Sequence, residues 1–120
     1  MPNKIADTVR LRHILDAIEY IELFLKDVGF AQIEADKMLQ SACLHQLQVI
    51  GESANHFSED FFKKHQSVEW GEIVGLRNLL IHEYFGVDIK LVWQVLQTDI
   101  PRLKSKILDI LKEIPVQDIN

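Results

Sequence analysis

Thr8–Val28 reads TVRLRHILDAIEYIELFLKDV. Its apolar residues Leu11, Ile14, Leu15, Ile18, Ile21, Leu25 and Val28 recur at spacings of three and four, the period of a helix that turns one face to a core. Asp7 is placed to cap the start of this helix and Gly29 to stop it. Arg10, Arg12, His13, Asp16 and Glu19 fall on its polar sides. As a set of mixed sign they read as a solvated face.

The same period continues downstream. A second helix is expected from Ile33 to Phe57, with Leu39, Cys43, Leu47, Ile50, Ala54 and Phe57 as its stripe. Gly51 and Ala54 inside it let another backbone approach closely, because a helical glycine is otherwise costly. Glu52 beside them is either a buried partner for a cation or a solvated acid. His45 and His56 lie about 20° apart on the helical wheel but three turns apart in height, too far to share a metal ion. Ser58–His65, SEDFFKKH, reads as a short capped helix ending in the most basic cluster of the chain, Lys63, Lys64 and His65. Ser67 and Trp70 open a third long helix through Ile73, Gly75 and Leu76, where Gly75 again suggests close backbone contact. Asp88 is a good N-cap for the last helix, and Pro101 should kink or restart it. No stretch alternates at period two and no Asn-Gly or Asp-Gly hairpin occurs. The expected fold is therefore all-α, an up-and-down bundle of four main helices plus one short helix, forming a single domain over residues 1–120.

Composition narrows the function. Lys plus Arg total 13 against 18 Asp plus Glu, for a net charge of −5, which argues against sequence-blind coating of nucleic acid. A confined basic pocket in an acidic body is still allowed. The single cysteine, Cys43, cannot pair within the chain and reads as a small core residue, so a reducing compartment is the simplest setting. No apolar run approaches the roughly 20 residues needed to cross a bilayer, and MPNKIADTVR lacks the apolar core of a signal peptide. A cytoplasmic location away from membranes is expected.

One stretch concentrates chemistry. Leu76–Asp88, LRNLLIHEYFGVD, places Arg77, Asn78, His82, Glu83 and Tyr84 within eight positions. Arginine is a permanent planar cation suited to phosphate, and histidine can take and give a proton near neutrality. On an ideal helix Asn78 and His82 stack, whereas Arg77 and His82 diverge by about 140°. Either the helix ends or loosens near His82, or the arginine swings round it, or a second copy of the chain completes the site. Gly86 favours a helix end. The sequence holds no HExxH, no CxxC and no helical histidine pair at i and i+4, and no glycine-rich phosphate loop, so no cofactor is expected and metal-free acid–base chemistry is what remains. That suffices for RNA, whose 2′-hydroxyl is a built-in nucleophile. His82 would move protons, Arg77 would stabilise charge on the phosphate, and Asn78 would fix the histidine or a phosphate oxygen. Lys63 and Lys64 would contact RNA, or merely complement their helix dipole. The plainer alternative makes Arg77 an ion-pair residue, His82 a satisfied helix-end histidine and Tyr84 a core aromatic.

The segment RNLLIHEYFGVD, preceded by VIGESAN and EWGEIVGL and followed by VW and IPRL, resembles the HepT-like branch of the HEPN domains. The resemblance covers most of Ala35–Leu103, with Arg77, Asn78, His82 and Tyr84 at the motif positions. It departs where His45 stands in place of an expected basic arginine. The resemblance implies a metal-independent endoribonuclease toxin that acts as a homodimer. It also implies a cognate minimal nucleotidyltransferase antitoxin, which would use ATP to transfer AMP to Tyr84. The competing class is a non-catalytic helical dimer that only binds and positions a nucleotidyltransferase.

Overall fold

The computed structural model describes residues 4–81 and 88–114, with the backbone alone at Lys4 and at 77–81. All regular structure among the described residues is helical. In chain order the helices are α1 (Lys4–Phe24), α2 (Phe30–Ala35), α3 (Lys37–Ala54), α4 (Glu59–Lys64), α5 (Trp70–Ile81) and α6 (Ile89–Gln94). A π-helical turn (Val95–Asp99) then leads into α7 (Ile100–Lys112). The four expected long helical runs are present, and α4 is the expected short one.

Two boundaries differ from the sequence reading. First, α1 starts earlier and ends at Phe24, and the turn after it passes through Asp27 at φ 59, a left-handed position that Asp tolerates better than most residues. Gly29 is therefore the N-cap of α2, and its N–H donates to Gln32 Oε1 at 2.6 Å. Second, the helix expected over 33–57 is broken at Asp36, whose carboxylate accepts from the Leu39 N–H at 3.0 Å and so starts α3. The buried Gln40 amide bridges the break, donating to the carbonyls of Ile33 (2.8 Å), which also accepts from the Asp36 N–H, and Glu34 (3.1 Å) at the end of α2. At Pro101 the last run restarts as expected, since α7 begins at Ile100 with the proline in its first turn. Proline has no N–H and its ring crowds the carbonyl four residues back. The ladder here shifts by one, with the Ile100 N–H donating to the Val95 carbonyl, five residues back, in a π turn that carries the helix past the ring.

The core forms where the predicted stripes meet. α3 packs against both α1 and α5, and α1 also receives α7. Leu11, Ile14, Ile18, Leu47, Ile50 and Ile107 are fully or almost fully buried. Gly51 and Ala54 are buried, in line with close packing on that turn of α3. Gly75 is different: a methyl group there would meet no atom within 4 Å among the described residues, so the expected close backbone contact is absent. Cys43 is a core residue, and burial pushes its thiol up to about 11.

Two polar links fasten α1 to the α3–α4 turn. Asp7 does not cap α1, because it lies inside that helix and is buried. Its carboxylate accepts from the Ser58 N–H (2.9 Å) and from the Ser58 hydroxyl (2.6 Å), while Ser58 Oγ accepts from the Phe61 N–H at 3.2 Å. In a capping box the acid accepting from the N-cap N–H comes from the third helical residue. Here that residue is Phe61, and Asp7 fills the role from 51 positions away. Arg10, read as part of a solvated face, donates from Nε to the His56 carbonyl at 2.9 Å.

Candidate functional site

α5 is the helix that carries the candidate site, and its start is anchored by aromatic packing. Phe57 stacks on Phe61 with ring centres 4.0 Å apart, and Trp70 sits against both at 5.0 and 5.5 Å. Such pairs contribute beyond their buried area. Trp70 Nε1–H donates to the His65 carbonyl at 2.9 Å, so the end of α4 is tied to the first residue of α5. Further along, Leu76 is buried and Ile73 and Val74 pack on the core, which fixes the helix rotation immediately before Arg77.

Arg77 and Asn78 lie on the second half of α5 and are helical in backbone. His82 and Tyr84 lie outside the described residues, and with them the angle between Arg77 and His82. Lys63 and Lys64 are exposed in the last turn of α4, where they complement the helix dipole. Arg77 lies seven residues, or about 10 Å along the axis, beyond Trp70 at the start of α5. His45 is exposed on α3, and His13 is exposed on α1. Glu52 is half-buried, with His56 Nε2 at 3.9 Å.

The surroundings of α5 are acidic at its start. Glu72 is held above the usual carboxylate range by a hydrogen bond with the Glu69 side chain and by the charge of that neighbour. His65, at the C-cap of α4, is pushed below the ordinary imidazole value chiefly by burial, with the Lys64 charge adding to it and the Glu113 charge opposing it. A cavity of about 70 Å³ separates the first turns of α5 from α7, floored by Val68, Ile73, Leu76, Ile100 and Leu103. Among the described residues no three His, Cys, Asp or Glu side chains stand close enough together to hold a metal ion, and no helix is long and apolar enough to cross a membrane. The Asp7 and Arg10 links, which set α4 and the entrance to α5, carry no local sequence signal beyond the polarity of the residues.

Comparison with known proteins agrees with the residue pattern. The family model described as "Ribonuclease HepT-like" matches residues 14–110. "Probable ribonuclease HepT" of Thermococcus cleftensis is 40% identical over 96 residues, covering 80% of this chain and 87% of that protein. "Putative RNase MJ1380" of Methanocaldococcus jannaschii is 37% identical over 97 residues, covering 81% and 89%. A longer protein of that organism, "Gamma-glutamylcyclotransferase and putative RNase MJ0434", is 39% identical over 106 residues, which are 88% of this chain and 48% of that protein. The chain thus spans about half the length of this last relative. No solved structure gave a match. The family pattern begins in the middle of α1 and ends in the last turns of α7, so it takes in most of the helical core that positions α5: this chain belongs to the HepT-like ribonuclease family.

Proposed function

We propose that the protein is a metal-independent endoribonuclease, the toxin of a toxin–antitoxin pair, with Arg77 and His82 as its catalytic residues. The observation that carries this reading is the Arg77, Asn78, His82 and Tyr84 set in a chain of the HepT-like ribonuclease family, with Arg77 and Asn78 on a helix anchored at its start by Trp70. The RNA 2′-hydroxyl attacks the adjacent phosphorus as His82 assists proton transfer, the 5′-oxygen of the next nucleotide leaves and takes a proton, and a 2′,3′-cyclic phosphate remains. Arg77 stabilises the charge on the phosphoryl oxygens, and Asn78 orients His82 or one of those oxygens. Lys63 and Lys64 hold the RNA strand further along. One histidine serves both proton transfers poorly, so a two-fold homodimer with two copies of Arg77 and His82 around one cleft is part of the proposal. The open surface at Gly75, on the same helix, leaves room for a neighbour to approach.

A cognate nucleotidyltransferase transfers AMP from ATP to the Tyr84 hydroxyl, releasing pyrophosphate. Seven residues bring Tyr84 back to within about 20° of Arg77 on a continuing helix. The new phosphodiester anion then pairs with the guanidinium while the nucleoside blocks access.

The test is cleavage of RNA by the purified chain in chelator. His82→Ala should lower the rate by about two to four orders of magnitude, and the product should end in 2′,3′-cyclic phosphate. Loss of activity in chelator, or full activity in both Arg77→Ala and His82→Ala, overturns the mechanism. Tyr84→Phe should cut RNA yet escape inhibition by the nucleotidyltransferase with ATP; added AMP mass found elsewhere refutes the switch.

A further inference from the structure

The core-facing stripe of α1 is covered by α3 and α7, but the opposite side of the same helix carries a second pattern. Ile5, Val9, Arg12, Asp16, Tyr20 and Leu23 fall within about 80° of one another on the wheel. The four apolar members are exposed to 67%, 43%, 52% and 66% respectively. Arg12 and Asp16 are also exposed, and among the described residues neither makes an ion pair or a side-chain hydrogen bond. Exposed apolar residues scattered singly need no explanation; four on one face of one helix do.

The order of the stripe points to what covers it. Its two ends are apolar, and its centre holds one cation and one anion a single turn apart. α1 runs from residue 4 to residue 24, so its midpoint is residue 14. If two copies of α1 are laid antiparallel with a two-fold axis beside that midpoint, positions whose numbers sum to 28 or 29 face each other. Ile5 then meets Leu23, Val9 meets Tyr20 and Arg12 meets Asp16, and the two-fold repeats each contact. A parallel arrangement instead sets Arg12 beside Arg12 and Asp16 beside Asp16. We infer that the outer face of α1 is a self-association surface, on which a second copy of this chain docks antiparallel through the two Arg12–Asp16 pairs and the apolar contacts at both ends. The inference does not rest on the ribonuclease reading. It adds a contact separate from any pairing through α5.

Because the contact is isologous, one substitution acts twice in each assembly. Arg12→Asp sets two pairs of acids against each other, and Asp16→Arg two pairs of cations. Either single variant should weaken self-association by about tenfold or more. The doubly swapped chain, Arg12→Asp with Asp16→Arg, restores opposite charges. An equimolar mixture of the two single variants does so as well, since each variant's pair complements the other's. Sedimentation of the wild-type chain, both singles, the double variant and the mixture reads the size directly, with circular dichroism checking that each chain is folded. The expected result is a wild-type assembly larger than that of either single variant, recovered in the double variant and in the mixture. A wild-type chain no larger than the single variants, or singles that stay as large as wild type, overturns the proposal. A double variant and mixture that remain small also overturn it, because any structural effect of the charges would not be rescued by mixing. RNA cleavage by the variants serves as the separate readout for the catalytic proposal.

Discussion

Asp7→Ala removes a link that spans 51 residues and has no substitute nearby. The carboxylate accepts two hydrogen bonds, at 2.9 Å from the Ser58 N–H and 2.6 Å from the Ser58 hydroxyl, in a site where Asp7 is 8% exposed. Hydrogen bonds to a charged group contribute about 1.5–3 kcal/mol each, and here they go to the two different carboxylate oxygens. The variant also leaves the Ser58 N–H at a helix start without its acceptor, which adds desolvation cost unless water enters. A loss of about 3–4 kcal/mol follows from these figures, a large share of the 5–15 kcal/mol typical of a domain. Asp7→Asn keeps an oxygen but loses the charge, and should lose about 1–2 kcal/mol. Ser58→Ala alone removes both the cap to Phe61 and one Asp7 bond, at about 2 kcal/mol. The decisive assay is a double-mutant cycle by urea denaturation using Asp7→Ala and Ser58→Ala. A coupling of about 1–2 kcal/mol is expected because the two side chains share one bond directly. If the two losses simply add, or Asp7→Ala changes stability by under about 0.5 kcal/mol, the carboxylate is solvated and the cross-chain cap is wrong.

Trp70→Phe keeps the apolar packing but loses the donor to the His65 carbonyl, so a loss of about 1 kcal/mol is expected, against about 3–5 kcal/mol for Trp70→Ala; thermal unfolding of both variants checks the split. Gly75→Ala should stabilise the monomeric chain by about 0.5–1 kcal/mol, because the methyl meets nothing within 4 Å; destabilisation in dilute solution would show that the position is strained. His65 has a folded-state value below the ordinary 6.5, so the unfolded chain takes up its proton first as pH falls. Stability should therefore decline from pH 6.5 down to that lower value and not change further from this group. His65→Gln should flatten that part of a pH series of denaturation midpoints, and an unchanged slope would remove His65 from the explanation.

Periodicity along the chain was enough to determine the class of fold and most of its core. Leu11, Ile14, Leu15, Ile18 and Ile21 are buried as their spacing requires, because a helix repeats every 3.6 residues whatever it packs against. Local chemistry likewise placed Ser58 and Asp88 as N-caps, since a cap needs only its own first turn. The candidate catalytic set was legible as a motif for the same reason: Arg77, Asn78, His82 and Tyr84 are near neighbours in sequence. Tertiary structure decided what distant segments do to one another. Asp7 has the side chain of an N-cap but takes the part of the acid that accepts from the Ser58 cap at the start of α4. Arg10 has the look of a surface cation and instead holds the His56 carbonyl. Gly75 carries the signal of close packing and meets no close neighbour among the described residues, because glycine reports permission for contact and not its presence. Pro101 carries the signal of a kink or restart and α7 does restart there, but the π turn that leads into it has no local signal of its own and joins segments held in the core by Val95, Leu96, Leu103 and Ile107. In each case the residue's chemistry was visible in sequence, whereas its partner depended on which surfaces the folded helices brought together.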